Sequence, residues 1–147
     1  YDAEFQVCLS NNDHSDVNFF SNNSTGDSVF REATDYYAEI KPTNLRTRTL
    51  DSIFVEKGIP GPDLMKLDVQ GSEMLVLEGA TNVLNDTKFL IIELSLIEYN
   101  IGAPTLDDLM LFLTKLGFFP IKILEQHKVD SVIVQLDLLF EKRQRPF

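Results

Sequence analysis

The amino-acid sequence predicts an α/β domain with a mostly parallel sheet and an antiparallel final strand. Three observations carry this. Residues 63–77 read as strand, tight turn and helix: Leu64, Met65, Leu67 and Val69 form a short apolar run, Gln70-Gly71 turns the chain, and Ser72 stands as N-cap before Glu73-Met74-Leu75-Val76-Leu77. Residues 89–96, Phe-Leu-Ile-Ile-Glu-Leu-Ser-Leu, lack alternation over their first half, as a strand covered on both faces does. An amphipathic helix then leads into two strands joined by a short connection, which sets that last pair antiparallel.

The remaining elements follow in order. Residues 5–9 form a strand, 10–16 a polar turn and 17–20 a second short strand, so the two pair as a hairpin. The Asn/Ser/Gly-rich stretch 21–27 is a loop, and 29–40 holds one short irregular element before Pro42. Residues 45–50 read as a polar edge strand, and a short helical turn begins at Asp51, its local cap. Gly58-Ile59-Pro60-Gly61-Pro62 ends that turn. Residues 73–84 are expected as one helix, with Gly79 inside it marking a close approach to the sheet. Thr105 caps the next helix, with Asp107 and Asp108 in its first turn, Leu106, Leu109, Met110, Leu113 and Leu116 facing inward, and Gly117 as its stop. Strands at 118–124 and 131–140 flank a polar connection that contains His127, and the charged segment 141–147 is expected as a frayed tail.

Composition bounds the function. The 147 residues suffice for one domain, which should bury roughly 70% of its extended-chain surface. A net charge of −10 argues against nucleic-acid binding, which needs a basic footprint. Cys8 is the only cysteine, so there is no disulfide framework, and its setting in a short strand suits a small buried hydrophobe. No apolar run reaches membrane-spanning length and no signal-peptide pattern opens the chain, which leads to an expectation of a cytoplasmic protein. The chain opens at Tyr1, which fits a fragment, a processed product or a chain lacking its upstream part.

Four blocks in order then carry a specific resemblance: Thr49-Leu50-Asp51-Ser52-Ile53; Asp63 through Gly71 with Glu73; Leu77-Glu78-Gly79-Ala80; and Ile91-Ile92-Glu93. Together they resemble the second half of the FkbM family of methyltransferases, over roughly residues 5–140. Lys66-Leu67-Asp68-Val69-Gln70-Gly71-Ser72-Glu73 is the most distinctive block. The resemblance implies a Rossmann-like class I methyltransferase fold, S-adenosylmethionine as cofactor and sheet order 3-2-1-4-5-7-6. It also implies incompleteness: the family's first strand and glycine-rich cofactor loop have no counterpart, and no Gly-x-Gly occurs in the chain. Residues 5–9 then resemble the third strand, and strand 64–69 presents a bare edge. Three outcomes stay open for that edge: pairing with a second copy, residues 5–9 packing in a new place, or a partner segment.

The same resemblance assigns the site. Asp68, at the end of the fourth strand, is expected to orient or deprotonate the acceptor and to border the cofactor; its structural alternative is to accept backbone donors at the start of the following helix. Glu73 either lines the same pocket or sits as a favourable charge in the first helical turn. Glu93 breaks an apolar run, where an unpaired carboxylate is costly, and either faces the acceptor pocket or makes structural hydrogen bonds. Ser10, Asn11 and Gly71 complete the expected cofactor contacts, and Lys66 is expected in an ion pair with one of the acids. Asp68, Glu93 and a histidine could in principle ligate a metal, but no ligand-spacing motif supports it, and none is expected. Two functions follow: an O-methyltransferase acting on a hydroxyl of a small molecule or sugar, or a non-catalytic truncated module that oligomerises or complements a cofactor-binding half.

Overall fold

The computed structural model describes residues 4–143. Its elements are β1 (Cys8–Leu9), β2 (Asp16–Phe19), β3 (Thr43–Arg48), α1 (Leu50–Lys57), β4 (Leu64–Leu67), α2 (Glu73–Glu78), α3 (Thr81–Asp86), β5 (Phe89–Ser95), α4 (Leu106–Lys115), β6 (Phe118–Val129) and β7 (Val132–Lys142). A single 3-10 turn, Asp35–Tyr37, lies in the stretch expected to hold one short element.

The strands form two sheets, ordered β1-β3-β2 and β4-β5-β7-β6. In the larger sheet β4 and β5 are parallel, while β7 lies between β5 and β6 and is antiparallel to both. The expected antiparallel pairing of the last two strands is present. The expectation of a mostly parallel sheet is corrected, because one of the three pairings is parallel and the sheet is mixed. The strand order follows the 4-5-7-6 half of the order that the resemblance implied. β1 and β2 do not form a hairpin; each pairs with β3, β1 parallel and β2 antiparallel. β1 lies beside β3 rather than β4, and the outer edge of β4 carries no strand among the described residues.

Alternation sets the layers. Leu90, Ile92 and Leu94 of β5 are buried on one face, where Val76, Leu77, Val83 and Leu84 of α2 and α3 and Leu109 and Leu113 of α4 meet them. β5 is thus not covered equally on both faces, contrary to the reading of its apolar first half; its buried positions alternate with half-buried ones. The other face carries Lys66, Glu93, Gln135 and Asp137, and this polar face positions the site. α4 begins as expected, with Thr105 and Asp108 in a reciprocal capping box.

Helix 73–84 breaks in two, and tertiary contacts explain why. A Cβ on Gly79 would collide with the backbone carbonyl of Ser10, so only glycine lets the β1 turn approach here. Asp51, expected to cap its own helix, instead caps α3. Its carboxylate accepts from Asn82 N at 2.9 Å and Val83 N at 2.9 Å, and from the Thr81 hydroxyl at 3.0 Å. Thr49 caps α1, its hydroxyl accepting from Ser52 N at 3.1 Å. Asp51→Ala is expected to cost about 1–2 kcal/mol, the upper range for losing an N-cap, seen as a lower urea midpoint with an unchanged slope.

Three further expectations are corrected. Residues 125–129 of the expected connection are instead part of β6, because strand pairing with β7 runs on through Val129. β6 absorbs Pro120 by a bulge, its register shifting between Pro120 and Lys122. Cys8 is half-buried on a short strand rather than buried in the core. Glu141 and Lys142, expected in the tail, extend β7; residues 144–147 lie outside the described residues.

Candidate functional site

The turn after β4 is the site's foundation. Gln70 and Gly71 take φ of 50° and 90° in succession, which lets the chain reverse sharply into α2. A Cβ on Gly71 would stand 2.9 Å from the Ala103 side chain, so the turn packs directly on the loop that follows β5. Glu73 folds back over it and accepts from Val69 N at 3.1 Å and Gly71 N at 3.3 Å. These donors belong to the turn before α2, and Ser72, expected as the side-chain cap of α2, makes no capping hydrogen bond. The Ser72 hydroxyl instead lies 3.2 Å from that of Ser28, which donates to the Gln70 carbonyl at 2.8 Å. Burial raises the Glu73 carboxyl above its usual range, against the lowering effect of the backbone donors.

Glu93 reaches this turn from β5. Its Oε1 accepts from Gln70 Nε2 at 3.1 Å and from Gln135 Nε2 at 2.9 Å. Burial and the neighbouring carboxylates of Asp68 and Asp137 raise its carboxyl as well. Glu73, Glu93 and Gly71 line a cleft of about 510 Å³ beyond the carboxyl ends of β4 and β5, closed on its far side by the 97–107 loop and the start of α4. Open α/β sheets bind ligands at this place. Glu98 and Asp107 add acidic groups to the lining, and no basic side chain is among the described residues that form it.

The other sequence-derived residues fall elsewhere. Asp68 is exposed and lines a second hollow of about 230 Å³, with Leu9, Ser28 and Val76. It accepts from Lys66 Nζ at 3.3 Å and Gln70 Nε2 at 3.3 Å. Asp68 and Glu93 therefore face different hollows and are tied by one amide, that of Gln70. The structural alternative for Asp68 is corrected: Gly71 N donates to Glu73, and Asp68 accepts from side chains alone among the described residues. Ser10 is buried and Asn11 donates to Glu78 Oε2 at 2.8 Å; both dock the end of α2 and neither lines the cleft. Lys66 pairs with Asp68 as expected and lies 3.9 Å from Asp137.

Sequence reasoning passed over Gln135, Asp137 and the cleft-lining Asn100, and gave Gln70 a turn but no partner. Asp137 had a signal: like Glu93, it interrupts an apolar strand. His127 was expected to be solvated in a loop; on β6 it stands beside Glu93 and Asp137.

The methyltransferase FkbM domain matches residues 3–120. The chain belongs to the FkbM methyltransferase family. Two curated relatives are similar to it. The hexuronic acid methyltransferase AglP of Haloferax volcanii is 36% identical over 50 residues, covering 34% of this chain and 21% of the relative. The 2-O-methyltransferase NoeI of Sinorhizobium fredii is 29% identical over 104 residues, covering 62% of this chain and 42% of the relative. The chain thus spans less than half the length of either relative. No solved structure matches it at the same stringency. The chain therefore shares its family with methyltransferases and has an α/β fold with a mixed sheet. Among the described residues no helix is long and apolar enough to cross a membrane.

Proposed function

We propose that this chain supplies the acceptor side of an S-adenosylmethionine-dependent O-methyltransferase acting on a hydroxyl of a neutral, sugar-like molecule. The observation that carries the reading is the acidic cleft at the carboxyl ends of β4 and β5 in a chain of this family. One relative is named for a 2-O-methyl transfer and the other for a hexuronic acid, which favours hydroxyl-bearing acceptors. The cleft lining refines this: carboxylates without a basic partner accept hydrogen bonds from hydroxyls and repel an acceptor carboxylate. An acidic sugar is therefore the poorer acceptor.

The fit to the cofactor is partial. An acidic lining suits a cationic sulfonium, but no glycine-rich cradle occurs in this sequence. S-adenosylmethionine supplies an activated methyl group; this chain's own residues align the acceptor. Glu93, held by two amides, accepts a hydrogen bond from the acceptor hydroxyl and fixes the direction of its oxygen. Glu73 holds the turn that carries Gln70. The open edge of β4 can take a further strand, which is where cofactor-holding elements would join.

Amide NMR shifts on adding a neutral saccharide test the acceptor site. Saturable shifts at residues 93–100, with no response to a hexuronate at equal concentration, are expected; shifts elsewhere or none overturn it. Where transfer of labelled methyl is measured, Glu93→Gln is expected to lower it about 100-fold, the scale of a misaligned reactant, and unchanged transfer removes Glu93 from the site. The second reading, a non-catalytic module, rests on the missing cradle. Calorimetric titration with S-adenosylmethionine separates the two: micromolar binding to this chain excludes the module, and no binding at millimolar cofactor favours it for the chain by itself.

A further inference from the structure

The geometry points to a divalent-cation site formed by Glu93, His127 and Asp137. The three residues come from three adjacent strands. Glu93 of β5 lies directly opposite Asp137 of β7, and His127 of β6 lies opposite Gln135, two residues along. Their donor atoms all lie within 4.8 Å of one another. His127 Nε2 is 3.7 Å from Asp137 Oδ1 and 3.9 Å from Glu93 Oε2. These separations are too long for hydrogen bonds. They are slightly wider than donors converging on one cation, which stand about 3.3–3.6 Å apart in a tetrahedron of about 2.0–2.2 Å bonds.

A second observation points to a ligand. Asp137 is only 8% exposed, and no donor among the described residues reaches its Oδ1. A buried carboxylate oxygen left bare is costly and rare. The orphaned oxygen is the one aimed at His127. The Lys66 ammonium stands 3.9 Å from the other, Oδ2. Glu93 is arranged in the same way: its Oε1 is taken by Gln70 and Gln135, leaving Oε2 toward the histidine. Glu93 and Asp137, with Asp68 and Glu73 near by, outnumber the one ammonium of Lys66, an excess of negative charge that a cation reduces. One imidazole with two carboxylates is a mixed nitrogen and oxygen donor set, which suits manganese or zinc better than magnesium, which prefers oxygen alone. The site goes beyond the methyl-transfer reading, with which it shares Glu93, and is tested without it, because binding the ion needs neither acceptor nor cofactor. No linear motif could show it, since each strand supplies one ligand.

The test is calorimetric titration of the chain with Mn²⁺ and with Zn²⁺, with no acceptor or cofactor present. One equivalent bound at sub-millimolar metal is expected, with a rise in Tm. His127→Ala removes a half-exposed side chain and should leave the fold intact by circular dichroism. It is expected to weaken binding by more than the roughly 10–100-fold that loss of an outer-sphere partner costs. Asp137→Asn should do the same. Because that variant replaces a buried group, NMR provides a parallel measurement: substoichiometric Mn²⁺ should broaden the His127 ring signals and spare those of His14. No binding at millimolar metal, binding that survives His127→Ala, or equal broadening of both histidines overturns the site.

Discussion

Phe140→Ala is expected to lower the stability of the domain by about 3–5 kcal/mol, the range for removing a buried aromatic ring from a core. Phe140 is fully buried on the central strand β7, opposite Leu90 of β5 and Pro120 of β6. Its ring joins the core shared by the sheet and the helices α2 to α4. Two strands and a bulge hold the backbone around it, so the cavity cannot collapse. Domains of this kind hold about 5–15 kcal/mol in all, and this one side chain therefore decides whether the larger sheet persists. Urea unfolding measures the effect as a lower midpoint at unchanged slope. Phe140→Leu should recover most of the loss, because it refills much of the volume. A Phe140→Ala loss below about 1 kcal/mol would mean that β7 is not the centre of the core.

Glu73 gives the second large effect, and two substitutions separate its parts. Glu73→Ala leaves Val69 N and Gly71 N without their acceptor. Each donor left bare costs about 1–3 kcal/mol; both are half-buried, so the expected total is about 2–3 kcal/mol. Glu73→Gln keeps an acceptor oxygen and removes the charge. Burial raises the folded-state carboxyl above its unfolded value. The folded protein then holds a proton that the unfolded chain has released. Wild-type stability is accordingly fullest below the unfolded pKa and declines as pH rises through the window up to the folded one. Glu73→Gln should lack that decline and match or exceed the wild type at neutral pH. A series of urea midpoints from pH 4 to 8 checks this; parallel curves for the two proteins would show that Glu73 is ionised at no cost.

The residues that were legible in advance are those whose signal is local. Thr105 and Asp108 announce a helix start by their spacing, and Leu109 and Leu113 announce its inner face. The apolar run around Ile92 announces a strand, and Glu93 inside it announces a costly group that needs partners. What misled was local evidence overruled from a distance. Residues 73–84 have the pattern of one helix, yet the Ser10 carbonyl and the Asp51 carboxylate cut it at Gly79. Ser72 has the chemistry of a cap, yet its hydroxyl turns to that of Ser28 instead. His127 looked like a loop residue because polar side chains on an exposed strand give no apolar alternation to detect.

From its residues alone, then, this protein was determined to be an α/β chain of the FkbM methyltransferase kind, with Asp68-Val69-Gln70-Gly71 turning a strand into a helix and an acid waiting on the next strand. Those features depend on neighbours a few positions apart, so they are written in linear order. Only the tertiary structure decided that Asp68 and Glu93 face different hollows, that β1 leaves the β4 edge open, and that Glu93, His127 and Asp137 converge. Those depend on which strands lie side by side, and strand pairing is settled by the burial of the whole core rather than by any one segment.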